Sequence, residues 1–166
     1  MIAQARYPFL STWRPEGERD RLRVREAIDM VGLRGFEERT FSSLSGGEQQ
    51  KVLIAAALAQ DAPLLLVDEP TTFLDPRLQE EVFQLLLAVR KERDLALLVV
   101  THEVNRALLG ADRIVALGDG VVAREGPPEE MSQEDALASI YGIAFLTVKH
   151  PESGILQILP GKEASG

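Results

Sequence analysis

The fold of this 166-residue chain is decided by an apolar run that ends in two acids, Leu64-Leu65-Leu66-Val67-Asp68-Glu69-Pro70. The run lies between chain breakers and is too short for a buried helix, so it predicts a central, buried β-strand. The run from Leu95 to Val100 predicts a second buried strand. Ile114 to Leu117 predicts a further strand, which the hairpin signal Gly118-Asp119-Gly120 joins to a strand at Val121–Ala123. Because helical patterns separate these runs, the sequence predicts an α/β fold, a parallel sheet with crossover helices.

The carboxyl ends of the predicted strands carry the chemistry, since ligands of parallel sheets bind beyond those ends. Asp68 and Glu69 follow the first strand, and His102 follows the second. A carboxylate there suits Mg²⁺, which prefers oxygen ligands and keeps several waters. Its neighbour can polarise a water for attack on a phosphate. Taken alone, Asp-Glu-Pro is also a plain polar strand exit, and a single histidine after a strand is more often structural.

Two helix starts flank the first strand. Ser45, with Glu48 three residues later, forms a capping-box pattern and predicts a helix that runs to about Ala59. Free N–H groups and the positive end of the helix dipole lie at such a start, which therefore suits an anion. Asp75 predicts the N-cap of the next helix, with Pro76 at its first position.

The composition sets broad limits. Apolar residues make up 45% of the chain and charged residues 27%, as expected for one globular domain with a small lobe. The net charge of −8 argues against a nucleic-acid partner. The absence of cysteine excludes disulfides and thiolate metal sites. We find no signal-peptide pattern and no apolar stretch near the ~18 residues of a membrane span, so any membrane-crossing part is expected in a partner.

The chain resembles the ABC-type ATPases, the nucleotide-binding engines of ATP-driven transporters, in the order and spacing of four motifs. These are Leu44-Ser45-Gly46-Gly47-Glu48-Gln49-Gln50, the run ending in Asp68-Glu69, then Leu74-Asp75, and Thr101-His102-Glu103. The resemblance implies a P-loop NTPase-like, three-layer parallel sheet with crossover helices. It also implies a small helical lobe and a C-terminal β-hairpin.

The same resemblance implies roles for the motif residues, with ATP and Mg²⁺ as cofactors. Asp68 would hold the metal, Glu69 would be the catalytic base, and His102 would be the switch histidine that contacts the γ-phosphate. Residues of the first motif would contact ATP held by the other subunit of a head-to-tail dimer; they are Ser45, Gly46, Gly47 and Gln49. Asp75 would belong to the dimer-contact loop, in which Phe73 replaces a small residue usual in the family.

No G-x-x-x-x-G-K-[ST] stretch occurs in these residues, and the one Gly-Lys pair is Gly161-Lys162. Such a loop cradles phosphates with backbone N–H groups and a lysine. We therefore expect an N-terminally truncated ATPase that alone binds ATP weakly and hydrolyses little. By resemblance, the strand that feeds this loop lies between Leu95–Val100 and Ile114–Leu117, so we expect a gapped or re-paired sheet that tends to self-associate.

Outer motifs indicate the branch of the family. Arg6-Tyr7-Pro8, Tyr141-Gly142-Ile143 and Lys149 to Gly154 resemble the importers of iron-siderophores, haem and cobalamin. The predicted organisation is a partial helical subdomain at 1–43, the C-terminal part of an ATPase core at 44–160 and a tail at 161–166. The subdomain, with the aromatic residues Tyr7, Phe9 and Trp13, is expected to meet a transmembrane permease.

The resulting hypothesis is a fragment of an ABC importer ATPase subunit. Its partners would be a second ATPase subunit and a permease, at the inner face of the plasma membrane. Two alternatives remain at this stage. One is a non-catalytic subunit that lends its Ser45–Gly47 face to a complete ATPase, and the other is the ATPase head of a non-transport ABC protein.

Overall fold

The computed structural model describes residues 1–9, 17–149, 151 and 156–161. The chain forms two units, Met1–Val100 and Thr101–Gly166. Predictions that concern Trp13, His150, Glu152 to Gly154 or the tail after Gly161 lie outside the described residues. Among the residues that are described, no helix has both the length and the apolar composition needed to cross a bilayer.

The first unit alternates helices and strands as the sequence predicts. Its elements are the 3₁₀ helix Ile2–Phe9, α1 (Glu18–Met30), the 3₁₀ turn Phe41–Ser43, α2 (Gly46–Ala59), β1 (Leu64–Asp68), α3 (Pro76–Arg93) and β2 (Ala96–Val100). The predicted helix starts are confirmed. Ser45 caps α2 in a capping box with Glu48, and Asp75 caps α3 with Pro76 in its first turn.

β1 and β2 pair in parallel, in register from Leu64 opposite Ala96 to Asp68 opposite Val100. Leu65 is buried, and Val67 and Leu97 pack against the core of the first unit. The opposite face is exposed, and its large apolar side chains are Leu64, Leu66, Leu98 and Val100. The prediction of two buried strands is therefore wrong for this face, because the described helices of the unit pack on the Leu65 side alone.

Arg6 joins three elements of the first unit through a buried ion pair. Its guanidinium donates from Nε and Nη2 to Asp20 Oδ1 of α1, at 2.9 and 2.7 Å. Its Nη1 donates to the carbonyl oxygens of Ala59 and Gln60 at the end of α2, at 3.0 and 3.2 Å. The N-terminal 3₁₀ helix is thus tied to α1 and α2.

The second unit consists of two hairpins and three short helices within the described residues. In chain order these are α4 (Val104–Gly110), β3 (Ile114–Gly118), β4 (Val121–Gly126), α5 (Pro128–Met131), α6 (Glu134–Tyr141), β5 (Phe145–Lys149) and β6 (Leu156–Pro160). The predicted hairpin at Gly118-Asp119-Gly120 is confirmed, with positive φ at Asp119 (50°) and Gly120 (78°), the backbone that tight hairpin turns require. The short helix α5 was not predicted.

The second and third predicted strands lie in different sheets. β2 pairs with β1, whereas β3 pairs antiparallel with β4 in a separate sheet. The third predicted strand is therefore not part of the parallel pair, and the expectation of a gapped or re-paired sheet stays a prediction.

Candidate functional site

Asp68 and Glu69 lie where the parallel pair ends. Asp68 is the last residue of β1, and its side chain is exposed on the open face of the sheet. The Glu69 N–H donates to the Val100 carbonyl oxygen at 2.9 Å, which extends the β1–β2 contact by one residue. The backbone that carries both acids is therefore held by the neighbouring strand.

Glu69 has an unusual backbone conformation, with a φ of 46°. This left-handed region is unfavourable for residues other than glycine. Residues held in it cluster at functional sites. Its carboxylate Oε2 accepts a hydrogen bond from the Thr72 hydroxyl at 3.0 Å, and its carbonyl accepts from the Thr72 N–H at 3.2 Å. Thr72 thus orients the predicted base, a contact that the sequence analysis missed. The three-residue spacing, typical of a tight turn, was the available signal.

The N-terminus of α2 presents two free backbone donors. The Ser45 N–H donates to Glu48 Oε2 at 2.7 Å, and the Glu48 N–H donates to Ser45 Oγ at 3.4 Å. The N–H groups of Gly46 and Gly47 have no acceptor in the part of the chain that the structure describes. They are the groups with which a helix N-terminus binds an anion.

The capping box also fixes the charge of Glu48. The hydrogen bond from the Ser45 N–H favours the ionised carboxylate, and it is the main reason why the pKa of Glu48 lies below its ordinary value. A negative charge in the first turn of α2 interacts favourably with the positive end of the helix dipole. Glu48 therefore stabilises the start of the helix.

Gln49 has a different neighbourhood from Gly46. Its Nε2 donates to the carbonyl oxygens of Phe41 and Leu44, at 3.3 and 3.1 Å. The amide therefore fastens the segment before α2 to the helix. Its predicted contact with a nucleotide stays a prediction.

The loop from Thr71 to Asp75 connects the acids at the end of β1 with the N-terminus of α2. A Cβ placed on Gly46 would lie 3.5 Å from Leu74 Cδ2, and one placed on Gly47 would lie 2.9 Å from Leu78 Cδ2. Asp75 Oδ1 accepts from the N–H groups of Arg77 and Leu78, both at 3.0 Å. The start of α2 therefore packs directly on the loop that begins at the Glu69–Thr72 hydrogen bond.

His102 belongs to the second unit and is exposed, two residues after the end of β2. The following turn is closed by the Glu103 N–H, which donates to the Thr101 hydroxyl at 3.1 Å. His102 thus follows the carboxyl end of β2, as the sequence predicts. Its approach to a phosphate stays a prediction.

The residues present fit a magnesium nucleotide in their chemistry. Gly46 and Gly47 supply unpaired N–H donors for phosphate oxygens. No group of three or more His, Cys, Asp or Glu side chains that could hold a metal occurs among the described residues. Mg²⁺ in phosphate sites needs only one or two carboxylates, because phosphates and waters supply the remaining ligands. Asp68, an exposed carboxylate at the strand end, meets that requirement.

Comparison with known proteins agrees with the resemblance to ABC-type ATPases. A family model described as "AAA domain, putative AbiEii toxin, Type IV TA system" matches residues 4–105. The hemin import ATP-binding protein HmuV of Rhodococcus jostii is 37% identical over 163 residues, which are 98% of this chain and 55% of that protein. The chain therefore spans about half the length of the curated relatives that it matches.

Solved structures agree with this assignment. A structure described as "an inward-facing conformation of a putative metal-chelate type ABC transporter" matches 97% of this chain and 64% of its own chain, with a TM-score of 0.87 and 25% identity. The dimeric ATP-binding cassette MJ0796, bound to ADP and Pi, matches 76% of this chain and 56% of its own, with a TM-score of 0.61 and 38% identity. The fold is thus the α/β fold of the ATPase domains of ABC transporters. The chain belongs to the AAA-domain family of that model and to the ATP-binding proteins of ABC transporters.

Proposed function

We propose that this chain supplies the Leu44–Gln50 motif and the catalytic carboxylate of an ATPase subunit that drives import of haem or an iron chelate. The observation that carries the proposal is the set of contacts from Glu69 to Gly47. The Glu69 carboxylate is hydrogen-bonded to Thr72. Farther along the chain, Leu74 packs on Gly46 and Leu78 packs on Gly47. The Glu69 carboxylate and the backbone N–H groups of Gly46 and Gly47 are thus held by one set of packed segments.

The roles of the residues follow from their chemistry. Gly46 and Gly47, with Ser45 and Gln49, would face the γ-phosphate of ATP. Asp68 would bind Mg²⁺, which when bound neutralises phosphate charge. Glu69 would accept a hydrogen bond from the attacking water and orient it, while Thr72 holds the carboxylate in place.

The partners are proposed from the relatives. The solved cassette that matches this chain is a dimer, which supports a second ATPase subunit as partner, with the Ser45–Gly47 face of one subunit towards the nucleotide of the other. The hemin import protein and the metal-chelate transporter support a permease as the second partner and the inner face of the plasma membrane as the location. They also support haem or a metal chelate as cargo, and cobalamin stays the third cargo indicated by the sequence motifs.

The 166 residues alone are expected to bind MgATP only weakly. The described residues offer two free N–H donors at one helix start, whereas a phosphate loop surrounds the phosphates with several donors and a lysine. Calorimetry of the purified chain is the measurement. Micromolar affinity would contradict this expectation.

The catalytic role of Glu69 can be tested in a chimera that joins this chain to the N-terminal portion of the R. jostii hemin import protein. We expect Glu69→Gln to lower ATP turnover by about 10²–10⁴-fold, the usual effect of losing a positioned base, with ATP binding retained. Glu92→Gln, an exposed carboxylate on α3, is the matched control and should leave turnover unchanged. Near-normal turnover of Glu69→Gln would remove Glu69 from the mechanism, and a chimera that binds ATP without hydrolysis would favour the non-catalytic alternative.

A further inference from the structure

We propose that Asn105 is a positioning residue for His102, because it fastens the helix that follows the histidine to the C-terminal hairpin β5–β6. The inference rests on the proposed function in one respect, since it takes His102 to meet the γ-phosphate in the assembled ATPase. It gives the hairpin a part in the reaction, through Asn105.

The first observation is a pair of hydrogen bonds between Asn105 and the backbone of Ile158. Asn105 Nδ2 donates to the Ile158 carbonyl oxygen at 3.1 Å, and the Ile158 N–H donates to Asn105 Oδ1 at 2.7 Å. Opposed residues of antiparallel strands exchange two N–H···O bonds in the same way. The side-chain amide therefore binds β6 as a neighbouring strand would.

The hairpin is a firm support for this contact. Ile158 lies in the middle of β6, opposite Thr147 of β5, and its side chain is buried. It forms a hydrophobic cluster with Leu137 of α6 and Phe145 of β5. The ring of Tyr141 lies 5.4 Å from that of Phe145. The backbone to which Asn105 binds is thus held by both the strand pairing and the core of the second unit.

The helix α4 depends on such a support. It has seven residues, and helices shorter than about 12 residues are marginal on their own. Val104 and Leu108 pack against the Leu137–Phe145–Ile158 cluster. Apolar contacts of this kind are non-directional, whereas two hydrogen bonds define both a distance and an angle. Asn105 therefore sets where α4 begins on the hairpin.

His102 lies three residues before Asn105, in a backbone that is continuous with the start of α4. The Glu103 N–H donates to the Thr101 hydroxyl at 3.1 Å, and the Ala107 N–H donates to the Glu103 carbonyl oxygen at 3.1 Å. The turn that contains His102 is thereby joined to the first turn of the helix. A displacement of α4 on the hairpin therefore displaces the imidazole.

NMR spectroscopy of the His102 imidazole in the nucleotide-free chain is the first test. The sequence has two histidines, so the His102→Gln spectrum identifies the signals. We expect Asn105→Ala to shift the His102 ring-proton signals towards those of an unfolded histidine. Ala136→Gly is the matched control, because it weakens the buried part of α6 in the same unit through helix propensity and leaves Asn105 in place. It should leave the His102 signals where they are.

The second test measures ATP turnover in the chimera with the R. jostii protein. We expect Asn105→Ala to lower kcat by about 10–10²-fold, the effect of a small misplacement of a reacting group, with the KM for ATP unchanged. Ala136→Gly should retain kcat although it lowers the melting temperature. Should Asn105→Ala fail to fold, Asn105→Asp keeps the acceptor for the Ile158 N–H and loses the donor. It should then show the same two changes to a smaller extent.

Two results would overturn the proposal. One is a set of His102 signals that is the same in the folded Asn105 variants as in wild type. The other is a loss of kcat in Ala136→Gly as large as that in Asn105→Ala, which would make Asn105 a purely structural residue. A chimera without ATPase activity would instead count against the proposed function, and the NMR comparison would still decide whether Asn105 positions His102.

Discussion

Gly46 and Gly47 are neighbours at the start of α2 but differ in the space around them. A Cβ on Gly46 would make ordinary contact with Leu74, whereas a Cβ on Gly47 would lie 2.9 and 3.2 Å from the two Cδ atoms of Leu78. Gly47 is buried and Gly46 is exposed. The requirement for glycine at position 47 is therefore one of close packing between α2 and α3.

We expect Gly47→Ala to be less stable than Gly46→Ala. Both substitutions gain the same helix propensity, so their difference isolates the clash with Leu78, for which overpacking typically costs about 1–3 kcal/mol. Urea unfolding of the two variants is the measurement. Equal midpoints would show that Leu78 changes rotamer without strain.

Glu48 links the stability of α2 to pH. Its pKa is lowered in the folded chain, chiefly by the hydrogen bond from the Ser45 N–H. A carboxyl group with a lowered pKa contributes stability above its unfolded pKa, and that contribution is lost as the pH falls through the folded pKa. The relevant window begins near the ordinary glutamate pKa of about 4.3 and extends downwards.

We expect Glu48→Gln to remove part of the acid sensitivity of the chain. The glutamine still accepts the Ser45 N–H, but it does not titrate, so the loss of stability between neutral and acidic pH becomes smaller. Denaturant unfolding of wild type, Glu48→Gln and the exposed control Glu92→Gln at several pH values measures this. A pH profile of Glu48→Gln that matches that of wild type would contradict the assignment.

Arg6 shows how one side chain organises several helices. It pairs with Asp20 and reaches the last carbonyls of α2, and the side chains of both partners are almost completely buried. The Gly17 N–H also donates to Asp20 Oδ2, at 3.2 Å. The Arg6-Tyr7-Pro8 motif, noted for its resemblance to importers, thus has a structural role in this chain.

We expect Arg6→Met to destabilise the chain by about 3–5 kcal/mol, because Asp20 becomes a buried charge without its partner. The double variant Arg6→Met/Asp20→Leu should recover part of that loss. Arg34→Met, which removes an exposed ion pair with Asp29, is the control and should change stability little. Thermal unfolding of all three separates the cases, and a double variant no more stable than Arg6→Met would contradict this explanation.

Considered as a whole, the chain leaves apolar sheet surface open. Parallel strands are normally covered on both faces, yet Leu64, Leu66, Leu98 and Val100 are exposed on one face of β1 and β2. Exposed apolar patches of this kind favour aggregation when no partner covers them.

We expect Leu66→Lys to reduce aggregation on heating. A charge in the centre of the patch opposes sheet-to-sheet contact, whereas Leu22→Lys, at an exposed leucine of α1, should have no such effect. Light scattering during thermal ramps is the measurement. Equal scattering from Leu66→Lys and wild type would place the aggregating surface elsewhere.

Local patterns in the sequence determined the helices, the strands and the ends at which the acids lie. Ser45 and Asp75 predict their helix starts because capping acts over two or three residues. Short apolar runs predict strands, and Gly118-Asp119-Gly120 predicts a hairpin, for the same local reason. The position of Asp68 and Glu69 at a strand end therefore follows from the sequence alone.

Contacts between distant residues were decided only by the tertiary structure. Arg6 meets Ala59 across 53 positions, and Gly47 meets Leu78 because two helices happen to pack there. An apolar run such as Leu64–Val67 looks the same whether one or both faces are covered, so the open face could not be predicted. Phe73 is fully exposed, and no pattern of neighbouring residues encodes that, because exposure depends on which distant segments pack nearby.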